Sequence, residues 1–139
     1  MEKSLVLIKP DAVRSRSAGA ILSRFEKAGL KTIALKMLWL DKELAQRHYA
    51  IHAGKPFFND LISYITSAPI VAVVLEGKDA VAVIRKTMGA TDPAKAEPGT
   101  IRHDFGIDIQ QNAVHGSDAV ETAEKEIRLF FTPGEILDY

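Results

Sequence analysis

Cysteine is absent from the 139 residues. That removes disulfide frameworks and thiolate zinc sites from consideration and fits a reducing, cytoplasmic setting. No Gly-x-Gly occurs, so there is no dinucleotide-binding fingerprint. The one Gly-Lys pair, Gly54-Lys55, lacks both the upstream glycine and the downstream Ser or Thr of a phosphate-binding loop. Any phosphate must therefore be held mainly by side chains. No apolar run approaches the roughly 20 residues that span a bilayer. Met1-Glu2-Lys3-Ser4 leads straight into a short strand-like run, without the longer apolar stretch of a signal peptide. A membrane partner is not expected. Neither sign of charge is in excess, with 18 basic and 18 acidic side chains. A broad nucleic-acid surface normally needs a basic surplus. A small anionic ligand stays possible, because a pocket needs only a few converging cations.

What is present suits one domain over residues 1–139 with a proper core: 47% of residues are apolar. Leu5 to Ile8 reads as a buried strand, ended by Lys9-Pro10-Asp11. Ile21, Leu22, Phe25 and Ala28 share a helical face, with Gly29 as its C-terminal cap. Ile33, Leu35, Met37 and Trp39 alternate as in a strand. Asp41 caps a helix expected over about Lys42 to Ala50. Phe57, Phe58, Leu61, Ile62 and Ile65 form a helical pattern in which at least one phenylalanine belongs in the core. The continuous run Ile70 to Leu75 predicts a central strand, and Asp79 to Met88 a helix closed by Gly89. Ala90 to Gly99 reads as a loop with two prolines, and Thr100 to His103 as a short turn or helix. Reduced to its framework, the order is β-α-β-β-α-β with extra helices, an α+β sandwich. His48 and His52 stand four apart, but no glutamate lies between them and no further ligands are evident, so metal binding by this pair is not expected.

The most informative stretch is Asn112-Ala113-Val114-His115-Gly116-Ser117-Asp118. Ala113 and Val114 read as a strand end. Gly116 permits a sharp turn, and Ser117 and Asp118 are good N-cap residues, Asp118 being the simpler choice. Val120, Ala123, Ile127 and Phe130 continue as one helical face. His115 thus falls at a strand-to-helix junction, where its imidazole is presented as a nucleophile near neutral pH. The adjoining helix N-terminus favours an approaching anion.

The Asn-x-x-His-Gly-Ser-Asp run resembles the active-site signature of nucleoside diphosphate kinases. Lys9-Pro10-Asp11-Ala12-Val13 is similar to that family's first motif, and Lys55-Pro56-Phe57-Phe58 matches another, so that the resemblance covers nearly the whole chain. It implies the ferredoxin-like version of the βαββαβ sandwich, with a four-stranded antiparallel sheet. It implies that His115 carries the phosphoryl group as phosphohistidine, through Nδ1, in a ping-pong reaction. Lys9 and Tyr49 lie beside it in the family's site, and Glu126 orients the histidine ring. Ser117 is either a cap or, as in the family, a further hydrogen-bond partner. The resemblance gives Arg85, Thr91 and Arg102 to the phosphates and Asn112 to the sugar hydroxyls. It gives Phe57, Leu61 and Ile109 to the nucleobase.

The chemistry agrees with those residue types. Moving a phosphoryl group between nucleotides requires neutralising several oxygens, and Lys9, Arg85 and Arg102 supply three charges. Mg²⁺ is expected to arrive mainly on the nucleotide phosphates, since it keeps several waters and needs few protein ligands. Relatives assemble as tetramers or hexamers, so a homo-oligomer is expected. A binding module without turnover would leave Lys9, Tyr49, His115 and Glu126 jointly unexplained. A histidine relay protein would present its histidine on a helical bundle, and this chain has too many strands.

Overall fold

The computed structural model describes all residues, Met1–Tyr139. Four strands, β1 (Glu2–Ile8), β2 (Lys31–Leu38), β3 (Ile70–Gly77) and β4 (Val114–Gly116), form one sheet in the order β2-β3-β1-β4, every pair antiparallel. The expected βαββαβ framework is present, and the continuous apolar run of β3 is central, between β2 and β1. Alternate residues point to opposite faces. Val6, Ile8, Val73 and Leu75 enter one core with Ile21 and Phe25 of α2 (Ala18–Lys27) and Ile84 and Met88 of α5 (Ala80–Met88).

The additional helices cover the other face. Leu5, Leu7, Ala72 and Val74 pack there against Ala45 of α3 (Lys42–His48), Ile62 and Ile65 of α4 (Phe58–Ile65), and Ile127 and Phe130 of α7 (Val120–Phe130). Phe58 is the phenylalanine of its pair that packs on this core, while Phe57 stays 45% exposed. No helix is long and apolar enough to cross a membrane.

Several local readings hold, and others are corrected. Asp41 caps α3 by accepting from the Leu44 amide at 2.8 Å, but α3 ends at His48, and a single 3₁₀ turn follows over Ala50–His52. A short helix, α1 (Pro10–Arg14), begins where the strand was expected simply to stop; Pro10 opens it, its missing N–H costing nothing there. Leu35, Met37 and Trp39 alternate as expected but are exposed, because β2 is an edge strand and a bulge at Thr32/Ala34 re-aims it. The C-terminal segment is exposed, as its composition indicates, yet it is tied to β2: the Leu137 amide donates to the Ile33 carbonyl at 2.9 Å.

Around His115 the turn is not where glycine suggests it. Ala113 takes the left-handed conformation, φ 74°. Gly116 instead pairs with Val6 inside the sheet. Its lack of a side chain serves packing, since a Cβ there would come within 2.9 Å of Met88 Sδ on α5. Neither Ser117 nor Asp118 caps the next helix; Ala119 occupies that position, with no side-chain bond.

Candidate active site

The pleat of β4 decides what His115 meets. His115 pairs with Leu7, whose side chain faces α3, α4 and α7. Its neighbours Val114 and Gly116 face the opposite core. The imidazole therefore projects toward the end of α3 and the middle of α7. Glu126, almost two turns into α7, receives it: His115 Nε2 donates to Oε2 at 3.0 Å and to Oε1 at 3.2 Å. Ser117 Oγ donates to the Oε1 of the same carboxylate. Burial alone would raise the Glu126 carboxyl, but the hydrogen bond and charge of His115, with the Ser117 bond, hold it below its ordinary value. An ionised Glu126 keeps the His115 proton on Nε2, so that Nδ1 is the nitrogen with the free lone pair. The side chain is 28% exposed and remains reachable.

His48 and Tyr49 close the other side. The His48 ring stands edge-on to His115, with centroids 4.8 Å apart, and packs likewise on Tyr49 and Phe130. Burial, then the charge of His115, depresses the His48 pKa from 6.5 to about 3, so it is neutral at working pH. Burial beside Glu126 raises the Tyr49 phenol to about 12. The possible i, i+4 metal pair is split: His48 turns to His115, whereas His52 lies against Phe57 and Lys55.

Lys9 reaches the site from the end of β1. Its ammonium donates to the Gln110 carbonyl at 2.6 Å and to Asn112 Oδ1 at 2.9 Å. Asn112 Nδ2 in turn donates to the Thr91 carbonyl at 3.0 Å, joining the two-proline loop to the stretch before β4. Burial lowers the Lys9 pKa to about 8, with Asp11 opposing and Arg102 reinforcing that fall. Arg102, on α6 (Ile101–Phe105), donates to the Val114 carbonyl at 2.8 Å and the Gly89 carbonyl at 3.2 Å. Its Nε is buried with no acceptor. Burial and the nearby Arg85 lower its pKa to about 10. Lys9, Arg102 and Arg85 thus repel one another in sequence, an arrangement that an anion relieves.

The nucleobase candidates are less assembled. Phe57 packs on His52 at 5.3 Å and is otherwise open, Leu61 is half-buried, and Ile109 is 62% exposed in the segment before β4.

Sequence reasoning passed over two residues. His48 reads in the sequence only as a partner of His52. Asp11 reads in the sequence as a strand terminator within the first motif, yet it is 6% exposed and anchors the bend that carries the site. Its Oδ2 accepts from the amide of the left-handed Ala113 at 2.9 Å, and its Oδ1 accepts from the Tyr64 hydroxyl. An acidic residue just after Pro10, a residue that often opens a helix, is the signal the sequence offers.

Comparison with known proteins is consistent with this geometry. A family model described as nucleoside diphosphate kinase matches residues 2–136. The chain is 58% identical to a nucleoside diphosphate kinase of Dehalococcoides mccartyi, over all of this chain and 98% of the relative. It is 56% identical to one from Pyrococcus furiosus, over all of this chain and 88% of that one. Among solved structures, a halophilic nucleoside diphosphate kinase from Halobacterium salinarum in complex with CDP superimposes with a TM-score of 0.96 at 47% identity, covering 99% of this chain and 92% of that one. The Aquifex aeolicus enzyme superimposes with a TM-score of 0.95 at 41% identity, over 98% and 99% of the two chains.

Proposed function

The chain belongs to the nucleoside diphosphate kinase family, and from that premise we propose that it moves the terminal phosphoryl group of a nucleoside triphosphate, mainly ATP, to a nucleoside diphosphate through His115. The carrying observation is the His115–Glu126 bond, which leaves the Nδ1 lone pair free and so supports Nδ1 as the attacking atom. In the first half-reaction the Nδ1 lone pair forms a bond to the terminal phosphorus. The bond from that phosphorus to the bridging oxygen breaks, and the diphosphate leaves with the electron pair. In the second, the terminal oxygen of another diphosphate attacks the phosphohistidine, and the N–P bond breaks. Glu126 stabilises the positive imidazole ring during both steps. Lys9, Arg85 and Arg102, with Thr91, would hold the phosphates, and Asn112 the sugar hydroxyls. Tyr49 would present its hydroxyl as a proton-bearing donor at the site, and Phe57, Leu61 and Ile109 would flank the base. The whole chain would serve as one catalytic domain, and a cytoplasmic location suits soluble nucleotide substrates.

Mg²⁺ fits this site as a passenger on the nucleotide. Asp11 is already engaged by the Ala113 amide and the Tyr64 hydroxyl, and Lys9, Arg102 and Arg85 bring positive charge rather than oxygen ligands. Bound to the phosphates, Mg²⁺ would neutralise oxygens and draw charge from the leaving group. After brief incubation with ATP and Mg²⁺, intact mass spectrometry is expected to find one acid-labile, base-stable phosphoryl group per chain. A protein that turns over without ever carrying one would refute the covalent route.

Lys9 makes the nucleotide KM depend on pH. Its lowered pKa means that charge is lost as pH rises through about 8, so diphosphate binding is expected to weaken above that pH and to be flat below it. A profile level to about pH 10, the ordinary lysine range, would mean that the Lys9 charge is not lost near pH 8 or does not govern binding. Lys9→Met separates the two, since it should leave KM unchanged only if Lys9 holds no phosphate.

The base should matter little. An open apolar slot stacks any base for about 1–3 kcal/mol without reading its edges. Purine and pyrimidine diphosphates, ribo and deoxy, are expected to accept the group with purines moderately ahead. With one shared donor, a spread in kcat/KM beyond about a thousandfold, roughly 4 kcal/mol, would mean that polar groups read the base.

We also infer a homo-oligomer, tetramer or hexamer. The outer position of β2, with Leu35, Met37 and the following Trp39 exposed, and the apolar groove between β2 and α2 support it. Light scattering that returns a monomer mass at working concentration would refute it.

A further inference from the structure

We propose that His48, His115 and Glu126 form a binding site for a divalent ion of the Zn²⁺ class, separate from the Mg²⁺ that travels with nucleotide, and that filling it arrests phosphoryl transfer. The His48 side chain is 1% exposed, and both of its ring nitrogens are buried without a hydrogen bond. Buried polar atoms left this way are rare. Its Nδ1 lies 3.5 Å from Glu126 Oε2, and His115 Nε2 lies 3.0 Å from the same oxygen. All three ligand atoms fall within 4.8 Å of one another.

A tetrahedral ion with bonds near 2.1 Å needs ligand separations of about 3.4 Å. Two separations already approach that value, and a modest ring rotation closes the third. Ser117 holds the other carboxylate oxygen, which orients Oε2 toward the two rings. Two imidazoles and a carboxylate suit Zn²⁺ or Co²⁺, with a fourth position left for water. Mg²⁺ prefers an octahedral set of oxygens and is excluded by the same donors.

On binding, the Nε2–H bond of His115 breaks, a proton is taken up at Nδ1, and the freed Nε2 lone pair of the neutral ring bonds to the ion. Nδ1 then carries the hydrogen and has no lone pair for the phosphorus, and Glu126, bound to the ion, no longer holds the ring in its attacking tautomer. This consequence rests on His115 being the phosphoryl carrier; binding of the ion does not.

The test uses the full chain, stripped of metal and free of nucleotide, titrated with Co²⁺. One ion per chain, with the intense visible absorption of tetrahedral Co²⁺, displaced by Zn²⁺ but not by Mg²⁺, is expected. His48→Phe keeps an aromatic ring in the same packing and should weaken binding by more than about 100-fold, while His52→Ala should bind like the parent. A pale octahedral spectrum, or wild-type affinity in His48→Phe, overturns the site. Should His48→Phe fail to fold by circular dichroism, Glu126→Gln replaces it with the same expectation. Zn²⁺-loaded protein should gain no phosphoryl mass from ATP and Mg²⁺ until a nitrogen-donor chelator that spares Mg²⁺ is added. Uptake at the metal-free rate overturns the arrest. Metal-free protein that never gains the phosphoryl group refutes the reading of His115 instead, and leaves the Co²⁺ result standing.

Discussion

His115→Ala is expected to lower phosphoryl transfer by about 10⁴-fold or more, the scale seen when a covalent nucleophile is removed, while nucleotide binding changes little. That loss corresponds to about 5.5 kcal/mol of transition-state stabilisation. The fold should survive. The ring is part-exposed, β4 keeps its backbone pairing with β1, and Glu126 keeps the Ser117 bond. The phosphate contacts proposed for Lys9 and Arg102 come from the end of β1 and from α6, and neither side chain is held by the imidazole. The measurement pairs turnover with nucleotide affinity by calorimetry and with intact mass after ATP. Turnover near the parent rate would end the covalent mechanism. Loss of turnover together with loss of binding would mean that the variant removed the site rather than the nucleophile.

Asp11→Ala is expected to damage stability and substrate binding at once. The change strips the Ala113 amide and the Tyr64 hydroxyl of their shared acceptor. Hydrogen bonds to a charged group are worth about 1.5–3 kcal/mol each, so a loss of about 3–5 kcal/mol is expected. That is a large share of the 5–15 kcal/mol that typically separates folded from unfolded, and should lower Tm by on the order of 10 °C. Ala113 holds φ 74° only while its surroundings impose it. Released, it would let Asn112 and the Gln110 carbonyl drift from Lys9. Lys9 would also lose the negative charge that opposes its deprotonation. The nucleotide KM should therefore rise about tenfold, the equivalent of ~1.4 kcal/mol, with a smaller fall in kcat. Asp11→Asn retains one acceptor and should fall between. An unchanged Tm and KM in Asp11→Ala would show that the bend before β4 is held by something else.

Much was readable before any coordinates. Period-2 alternation marked β2 and period-3.6 patterns the principal helices, because burial on a sheet or a helix face imposes those periods. Unbroken apolar runs marked β1 and β3, whereas β4 begins at Val114, where the residues suggest a strand end. The central place of β3 followed from its unbroken apolar run, which only a strand covered on both faces requires. The short motifs around Lys9, Phe57 and His115 marked the chemistry, since side-chain type sets which groups can carry charge or attack phosphorus.

The tertiary structure alone decided the rest. Nothing in Leu35, Met37 or Trp39 says that they face out; that follows from β2 lying at the sheet edge. Gly116 reads as a turn glycine, but the approach of Met88 from α5, 28 residues earlier in the chain, is what excludes a side chain there. Ser117 reads as a cap, but a carboxylate arriving on α7 recruits it instead. His48 looks like half of an i, i+4 pair until α3 ends beneath it and the pleat of β4 turns His115 to meet it. Local sequence sets each residue's period and chemistry. Which groups converge is set by strand order and pleat, which bring together residues as far apart as Lys9 and Asn112, 103 positions.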